Sequence, residues 1–231
     1  MLALLYDIHG NLPALEAVLA DAGKQGAQRY FIGGDVALFG PWPQETVERL
    51  NELAPATWIR GNGERWTADP ESAPEPVRGA TAAAREALGD ALVGQLAALP
   101  ESAAVDGRTR AWHGSPVSDV RSFEPEPGDD EAELLTGVSE SRLIFGHTHL
   151  PFHRSSAVAD VELINPGSVG MPFDGDHRAA YAVLHDDGTV ELRRVAYDHG
   201  ASAAALRERY GDAPWIELPE YRFAHALAGP P

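Results

Sequence analysis

Short apolar runs alternate with amphipathic segments over the first quarter of the chain. The apolar runs at 1–7, 29–35 and 56–62 end in Asp or Asn, and the segments at 12–23 and 43–53 carry apolar residues at helical spacing. This pattern predicts the order strand, helix, strand, helix, strand. It is typical of parallel strands joined by crossover helices, in which ligands bind beyond the carboxyl ends of the strands. We therefore expect a site where these three strands end.

A segment rich in Pro, Ala and Glu follows at about 66–100 and contains two helical runs, at 79–89 and 90–99. We interpret it as a helical insertion, of two or three helices, that covers the predicted site. A chain of 231 residues is long enough for one large domain or for one domain with a small insertion. We therefore expect a single domain over residues 1–231.

Short apolar runs between residues 102 and 197 predict further strands, with one helix at 129–138. Two of these runs are joined by the sequence HDDGT at 185–189, which is typical of a hairpin turn. The runs together predict a second, largely antiparallel sheet. In the tail we expect one helix, at 202–211, followed by an irregular segment.

The composition excludes several classes of protein. Because the chain has no cysteine, disulfide frameworks and thiolate metal sites are excluded, and a metal ligand has to be His, Asp, Glu or Asn. The apolar start MLALLYD lacks the basic region and the cleavage site of a signal peptide, and we expect a cytoplasmic protein without membrane contact. The formal charge of −17 argues against a broad nucleic-acid surface. Small phosphorylated substrates remain compatible, because bound divalent cations reverse the charge of a pocket locally.

Polar residues at the ends of the apolar runs form five short blocks. These are DIHGN at 7–11, GGDVALFG at 33–40, RGNGE at 60–64, WHGS at 112–115 and GHTH at 146–149. Each block alone is more typical of a helix cap, a turn or a buried histidine than of a functional site. Together they supply four imidazoles, two carboxylates and an amide oxygen, and the period-2 geometry of a strand would aim each Asp-x-His or His-x-His pair to one side. Seven such ligands are enough for two metal ions if one carboxylate bridges them.

The five blocks, in this order, resemble the pattern D-x-H, G-D, G-N-H-[DE], H, G-H-x-H of the calcineurin-like metallophosphoesterase superfamily. The later sequence INPGSVGMPFDGD, at 164–176, resembles the small bacterial phosphodiesterase branch of that superfamily. The resemblance implies an α/β fold, a four-layer α/β/β/α sandwich with two mixed β-sheets. It also implies hydrolysis of phosphodiesters by in-line attack of a hydroxide that bridges two metal ions.

The resemblance further implies which residues hold the metal ions. The first ion would be bound by Asp7, His9, Asp35 and His149, and the second by Asp35, Asn62, His113 and His147. In this assignment Asp35 bridges the two ions, and Asp35, Asn62 and His147 are catalytic. A set of oxygen and nitrogen ligands without sulfur is compatible with Mn, Fe, Co, Ni or Zn, and it does not identify which of these metals is bound.

The chain departs from the family pattern at Gly63, where much of the superfamily has a histidine. Loss of a general acid typically costs 10²–10⁴-fold for a poor leaving group, so we predict a preference for good leaving groups. His177 is the candidate to replace the missing histidine. Asn11, Arg60 and Arg178 are candidates for substrate binding, although Asn11 is equally suited to cap a helix and each arginine to form a surface ion pair.

Two other functions stay open at this stage. The superfamily includes a retromer component that lacks the same histidine and serves in protein assembly, so a non-catalytic metal-binding scaffold is one alternative. The other is a nucleotide or protein phosphomonoesterase. For the phosphodiesterase we expect a small phosphorylated substrate, with a nucleotide-type phosphodiester as one example, and the oligomeric state is open.

Overall fold

A computed structural model of the chain, described here for residues 1–230, contains two five-stranded sheets. The strand order is β10-β9-β1-β2-β3 in the first sheet and β4-β5-β6-β8-β7 in the second. The strands are β1 (Leu2–Leu5), β2 (Arg29–Ile32), β3 (Ala56–Trp58), β4 (Ser102–Ala104), β5 (Thr109–Trp112), β6 (Arg142–Ile144), β7 (Phe152–Ser155), β8 (Glu162–Asn165), β9 (Ala179–Leu184) and β10 (Val190–Val195).

Seven α-helices accompany the strands in the described part of the chain. They are α1 (Leu12–Lys24), α2 (Pro43–Asn51), α3 (Asn62–Ala68), α4 (Arg78–Ala97), α5 (Glu131–Leu134), α6 (His199–Tyr210) and α7 (Glu217–His225). The helices predicted at 12–23 and 43–53 are confirmed as α1 and α2, and both bury their apolar stripe. Within residues 1–230, no helix has the length and apolarity that crossing a membrane requires.

Alternating side chains of the strands build a core on each face of the first sheet. Leu4 of β1 packs against Ile164 of the second sheet, whereas Leu5 packs against Leu15 of α1. On the outer face of the second sheet, Phe145 packs in a cluster with residues of the loop and short helix between β5 and β6. The layers are thus helix, sheet, sheet, helix. The predicted four-layer α/β/β/α sandwich is confirmed.

The first sheet contains the predicted parallel strands β1, β2 and β3, but it also contains β9 and β10. These last two strands are joined by the predicted hairpin at 185–189; β9 pairs antiparallel with β1, and β10 pairs antiparallel with β9. In the second sheet the three inner strands β5, β6 and β8 are parallel. The prediction of a largely antiparallel second sheet, made of all the later strands, was therefore wrong. The connections between the parallel strands of the second sheet are loops and a single-turn helix. The sequence therefore lacks the long helical pattern that usually indicates a parallel pair.

The segment at 66–100 differs in detail from the prediction. Helix α4 contains both predicted runs and is interrupted between them at Gly89, whose φ of 68° and ψ of 165° are not helical. Leu88 and Val93 pack in the cluster that holds α1 and the first sheet. The predicted helix at 202–211 is present as α6, but residues 217–225, predicted to be irregular, form α7. The assignment of the whole chain to a single domain with an insertion stays a prediction.

Candidate metal centre

The chain turns sharply just beyond the ends of β1, β2 and β6, and five of the seven predicted metal ligands lie in these turns. Their φ angles fall in the left-handed region: Asp7 52°, His9 51°, Asp35 51°, His147 69° and His149 60°. Such backbone costs a non-glycine residue on the order of 1–3 kcal/mol and clusters at functional sites. The side chains are therefore aimed by the turns. The expectation that the pleat of a strand aims each pair was wrong, because the strands end before the ligands begin.

The first group of candidate ligands consists of Asp7, His9 and His149, all of them buried. The Nε2 atoms of His9 and His149 are 3.1 Å apart. Oδ1 of Asp7 lies 3.4 Å from Nε2 of His149 and 4.0 Å from Nε2 of His9. One carboxylate oxygen and two imidazole nitrogens thus face a common point.

The second group consists of Asp7, Asp35 and His113, which are also buried. Nε2 of His113 lies 3.5 Å from Oδ1 of Asp35 and 3.8 Å from Oδ1 of Asp7. The Asn62 amide joins the group, because its Oδ1 is 3.1 Å from Nε2 of His113 and its Nδ2 donates to Asp35 at 3.3 Å. The two groups adjoin one another, since Asp7 belongs to both.

His147 lies at the margin of the second group. Its ring is edge-on to that of His113, with 5.4 Å between the ring centres, and its backbone N–H donates to Oδ2 of Asp7. Unlike the other histidines of the site it is only partly buried. The structure therefore brings all seven predicted ligands to one end of the two sheets.

The hydrogen bonds of the imidazoles fix which nitrogen faces the site. Nδ1 of His9 lies 2.9 Å from the Leu38 carbonyl, Nδ1 of His113 lies 2.9 Å from the Gly33 carbonyl, and Nδ1 of His149 contacts the Met171 carbonyl. Because a carbonyl oxygen only accepts, each Nδ1 carries the hydrogen and the neutral ring turns its Nε2 lone pair inward.

The inward atoms form a donor set that fits a divalent cation. In a neutral pair of rings, the Nε2 atoms of His9 and His149 are two acceptors face to face. Oδ1 of Asp7 is buried and has no hydrogen-bond donor within residues 1–230. Buried acceptors without donors are costly, and a metal ion is the partner that satisfies nitrogen and carboxylate ligands together.

The surroundings shift the pKa values of Asp7 and Asp35 in opposite directions. Burial alone would raise the pKa of Asp7, but the imidazoles, led by His149, outweigh burial and hold it below its usual range. Burial raises the pKa of Asp35 to about 7, and Glu64 adds to this effect while His113 opposes it. The site is therefore short of positive charge around Asp35.

The pKa values of the imidazoles also shift in opposite directions. Burial lowers the pKa of His9 and of His147, the latter to about 4, so both rings are neutral near pH 7. Burial also disfavours the charged form of His113, but Asp35 and Asp7 outweigh it and raise its pKa to about 9. The pocket around His113 thus favours a cation.

Glu64 is a positioning residue that the sequence analysis missed. Its buried carboxylate accepts hydrogen bonds from three backbone N–H groups, those of Asp35 at 2.9 Å, Val36 at 2.8 Å and Gly61 at 2.7 Å. It thereby ties the turn after β2 to the start of α3. The available signal was its place three residues after Gly61, which is the capping position of a helix.

Two glycines permit close approaches in the site. The N–H of Gly63 donates to Oδ1 of Asp35 at 2.6 Å, and a Cβ at this position would lie 2.8 Å from that oxygen. At Gly170 a Cβ would lie 1.8 Å from the carbonyl oxygen of Ile8. Gly63 therefore has a structural role in addition to being the place of the missing histidine.

The loop that contains Ser168 holds the turn after β1. Ser168 is buried, donates from its Oγ to the Asp7 carbonyl at 2.7 Å and accepts there from the Met171 N–H. The hydroxyl is thus fully used within the protein. The loop thereby fixes the backbone at Asp7.

Asn11 is placed at a helix end instead of in a substrate pocket. Its Oδ1 accepts from the Ala14 N–H and from Oγ of Ser202, and its Nδ2 donates to the Gly170 carbonyl and to the Tyr197 hydroxyl. The helix cap is confirmed. Both side-chain polar atoms of Asn11 are thus used within the protein, and its assignment to substrate binding stays a prediction that these contacts do not support.

His177 and Arg178 also lie outside both groups of ligands. The His177 ring stacks on His199 with 4.1 Å between the ring centres, and its Nε2 donates to the Ala224 carbonyl. Arg178 is exposed and pairs with Asp176. The structure thus gives neither residue a contact with the metal ligands, because His177 is turned toward α7 and Arg178 is held by Asp176, and their roles in catalysis and substrate binding stay predictions.

Two cavities flank the candidate metal centre. One, of about 370 Å³, is bounded by Arg60, Trp112 and His113, and also by Arg65, which binds Asp119 with two hydrogen bonds of 2.7 and 2.8 Å. Arg60 pairs with Glu101 at the rim and keeps its place as a candidate for substrate binding.

The other cavity, of about 510 Å³, is lined by His147, Thr148, Phe173 and Ala228 among others. No α4 residue lines either cavity within residues 1–230. Instead, Phe173 stacks on His149 and packs in a cluster with Phe223 of α7. The segment at 66–100 therefore does not line these cavities, its expected role as a cover stays a prediction, and the C-terminal helix lies on this side.

Comparison with known proteins identifies relatives over most of the chain. The model of the calcineurin-like phosphoesterase superfamily domain matches residues 1–188. The chain is 31% identical to an uncharacterized protein of Methanocaldococcus jannaschii, over 96% of this chain and 95% of that protein. It is 30% identical to the phosphodiesterase YfcE of Escherichia coli K12, over 81% of this chain and 89% of the relative. A solved metallophosphoesterase from Sphaerobacter thermophilus is 29% identical, with a TM-score of 0.83, over 98% of this chain and 99% of that one.

Proposed function

Because the chain belongs to the calcineurin-like phosphoesterase superfamily and is a phosphoesterase by that membership, we propose that it is a dinuclear metal-dependent phosphodiesterase. The observation that carries this proposal is the pair of adjoining ligand groups that share Asp7. The resemblance noted from the sequence is confirmed by the family match and by the relative named a phosphodiesterase.

The proposed ligand sets follow the family pattern. The first ion would be held by Asp7, His9, Asp35 and His149, and the second by Asp35, Asn62, His113 and His147. Two divalent ions in such a site bind phosphate oxygens and make hydroxide available near neutral pH. The proximity of Asp35 to both His113 and Asn62 supports its place in the second set, and its role as the bridging carboxylate follows the family pattern, although the residue that both observed groups contain is Asp7.

The chain's own residues contribute orientation. Hydrogen bonds from Nδ1 to backbone carbonyls keep His9, His113 and His149 in the tautomer whose Nε2 lone pair faces the site. The Gly63 N–H and the Glu64 carboxylate hold Asp35 from two sides. Pre-positioned groups of this kind lower the cost of reaching the reactive geometry, because little reorganisation is left for the reaction itself.

The absence of a histidine at position 63 is the reason to propose substrates with good leaving groups. Gly63 offers only a backbone N–H, and that group is bound to Asp35. His177, the residue considered as its replacement, is turned toward α7. A phosphodiester or phosphoanhydride whose leaving oxygen departs as a stable anion needs little help from a general acid.

The proposal is tested with two phosphodiesters that differ in leaving group, bis(4-nitrophenyl) phosphate and a dialkyl phosphate, assayed with Mn²⁺, Fe²⁺, Co²⁺, Ni²⁺ and Zn²⁺ in turn. We expect turnover of the aryl ester to exceed that of the alkyl ester by at least roughly 10²-fold. Equal rates would contradict the leaving-group preference. Faster hydrolysis of 4-nitrophenyl phosphate would favour a phosphomonoesterase, and no turnover of any ester with any ion would favour the scaffold.

A further inference from the structure

Arg222 of α7 places a guanidinium group beside the metal centre. Its Cζ atom lies 5.4 Å from the ring centre of Phe39 and 5.1 Å from that of Phe173. The Phe39 ring is 5.7 Å from the His9 ring, and the Phe173 ring stacks on His149 at 4.1 Å. One aromatic ring thus separates the cation from each of two metal-ligand imidazoles.

The guanidinium has no counter-charge in the described part of the chain. Nε of Arg222 donates to the Ala228 carbonyl at 2.9 Å, and its two Nη groups have no acceptor within residues 1–230. In contrast, Arg207 of the adjacent helix α6 pairs with Glu220. The chain has 35 acidic against 18 basic side chains, so carboxylates are abundant. Within residues 1–230, Arg222 therefore differs from Arg207 in having no carboxylate partner.

The surroundings suit Arg222 to bind an anion. Burial lowers its pKa to about 10, which leaves the group cationic near pH 7. A guanidinium whose faces pack on aromatic rings and whose Nη groups have no acceptor within residues 1–230 can bind phosphate through paired hydrogen bonds.

A cavity at the metal centre passes close to this region. The cavity of about 510 Å³ that begins at His147 is also lined by Phe173 and Ala228, which contact Arg222, whereas Arg222 itself does not line it. A substrate whose scissile phosphate lies at the metal ligands and that extends along this cavity would come near Arg222. Arg222 also lies outside residues 1–188, which match the family domain, so this feature is additional to the matched domain.

We propose that Arg222 binds a second phosphate group of the substrate, next to the scissile phosphodiester. This inference rests on the proposed function and narrows it to phosphodiesters or phosphoanhydrides with a further phosphate on the same molecule. Arg222 is then a specificity-determining residue, because it contributes to binding only when the second phosphate is present.

Two aryl esters with the same leaving group test the proposal, methyl 4-nitrophenyl phosphate and 2-phosphoethyl 4-nitrophenyl phosphate. For the wild-type protein we expect the larger kcat/KM on the ester with the second phosphate. Arg222→Gln should lower kcat/KM on that ester by roughly 10- to 100-fold, the loss expected for a charge-assisted hydrogen bond, and on the methyl ester by less than about 2-fold.

Control variants separate recognition from folding. Arg222→Lys should keep part of the preference, because the charge remains but the planar fork is lost. Arg108→Gln should change neither rate, since Arg108 is an exposed arginine in the turn between β4 and β5. An equal loss on both esters in Arg222→Gln, or a wild-type protein without preference for the second phosphate, would overturn the proposal.

A binding measurement keeps the test independent of turnover. The methyl and 2-phosphoethyl monoesters of phenylphosphonic acid are titrated into the Mn²⁺-loaded protein by calorimetry. We expect tighter binding of the 2-phosphoethyl ester, and loss of that difference in Arg222→Gln. If the wild-type protein hydrolysed neither aryl ester but kept this difference, the proposed function would fail and the Arg222 site would stand. Equal Kd values of the two phosphonates for the wild-type protein would overturn the site itself.

Discussion

The Nε2 atoms of His9 and His149 lie 3.1 Å apart, although each ring already donates from Nδ1 to a backbone carbonyl. Two lone pairs in this arrangement repel one another, and the nearby Oδ1 of Asp7 is a buried acceptor without a donor in the described residues. The polypeptide therefore maintains a geometry that is unfavourable by itself. A cation between these atoms converts the same geometry into a favourable one.

This relationship predicts that metal binding stabilises the protein through His149. At a Mn²⁺ concentration of 100 Kd the expected gain is about 2.7 kcal/mol, which corresponds to a rise in Tm of roughly 5–10 °C for a protein of this size. His149→Ala should lose most of this rise. The measurement is thermal unfolding with Mn²⁺ and with a chelator.

The matched control for this prediction is His153→Ala. His153 is an exposed histidine on β7 that pairs with Glu162, and its removal should leave the Mn²⁺-dependent rise intact. The account of the ligand group would be contradicted by a rise in His149→Ala as large as in the wild-type protein.

Gly63→Ala should weaken metal binding. The added Cβ would lie 2.8 Å from Oδ1 of Asp35, so that the carboxylate has to move away from its hydrogen bond with the N–H of residue 63. We expect a loss of roughly 10- to 100-fold in Mn²⁺ affinity, as is typical when a ligand's supporting contact is disturbed. Titration of the chelator-treated protein with Mn²⁺ measures it.

Gly94→Ala is the control for this change, because Gly94 lies in α4 with open space around the added Cβ. It should leave metal affinity unchanged and stabilise the helix by roughly 0.5–1 kcal/mol. Gly63→His has the same Cβ as Gly63→Ala and should lose metal affinity too. Wild-type affinity in Gly63→Ala would show that Asp35 tolerates the contact and would refute this explanation of the glycine.

Glu64→Gln should destabilise the fold as well as the site. Its carboxylate accepts from three buried N–H groups, and an amide in its place turns an NH₂ group toward at least one of them. We expect a loss of about 1–3 kcal/mol in the free energy of unfolding, measured by urea denaturation. The exposed Glu48 of α2 provides the control, since Glu48→Gln should remain within about 0.5 kcal/mol of the wild-type value. Equal effects of the two substitutions would mean that Glu64 is not a positioning residue.

The stability of the metal-free protein should fall as the pH rises from about 6.5 to 9. Asp35 and Asp7 raise the pKa of His113 to about 9 against the opposing effect of burial, so in this window the folded state binds more protons than the unfolded state. The stabilisation is complete below the unfolded pKa and is lost as the pH passes the folded one. Mn²⁺ binding should strengthen over the same window, because it requires the neutral ring.

Thermal unfolding in chelator at several pH values checks this dependence. His113→Gln should flatten the slope between pH 6.5 and 9. A slope that persists unchanged in this variant would assign the titration to another group.

The sequence was sufficient to expect the candidate ligands in one place, because the chemistry of the side chains and their position after apolar runs are local features; their role as ligands stays a prediction. Asp7, Asp35 and Asn62 were placed at strand ends from the pattern alone, and the structure brings them together. The strained backbone of Asp7 and His149 was not predictable, because it depends on contacts with residues far along the chain. For the same reason the pattern did not show that β9 and β10 join the first sheet.

The sequence does not show which arginines pack on aromatic rings. Arg178 pairs with the neighbouring Asp176, whereas Arg222 lies between two phenylalanine rings from distant parts of the chain, Phe39 and Phe173. Helix α7 was missed since its segment, ELPEYRFAH, has a proline in its first turn and few apolar residues. Its position is set by packing of Phe223 against the cluster of Phe39 and Met171.

The central claim, a dinuclear metal-dependent phosphodiesterase, is tested most directly by measuring metal content and bis(4-nitrophenyl) phosphate turnover on the same samples. The protein is purified without chelator, loaded with Mn²⁺ and freed of unbound metal, beside Asp35→Asn treated identically. We predict about two metal ions per chain and turnover in the wild-type protein, and loss of both ions together with turnover in Asp35→Asn. Two ions retained by Asp35→Asn would contradict the bridging carboxylate, and a wild-type protein that binds no metal and shows no turnover would contradict the central claim.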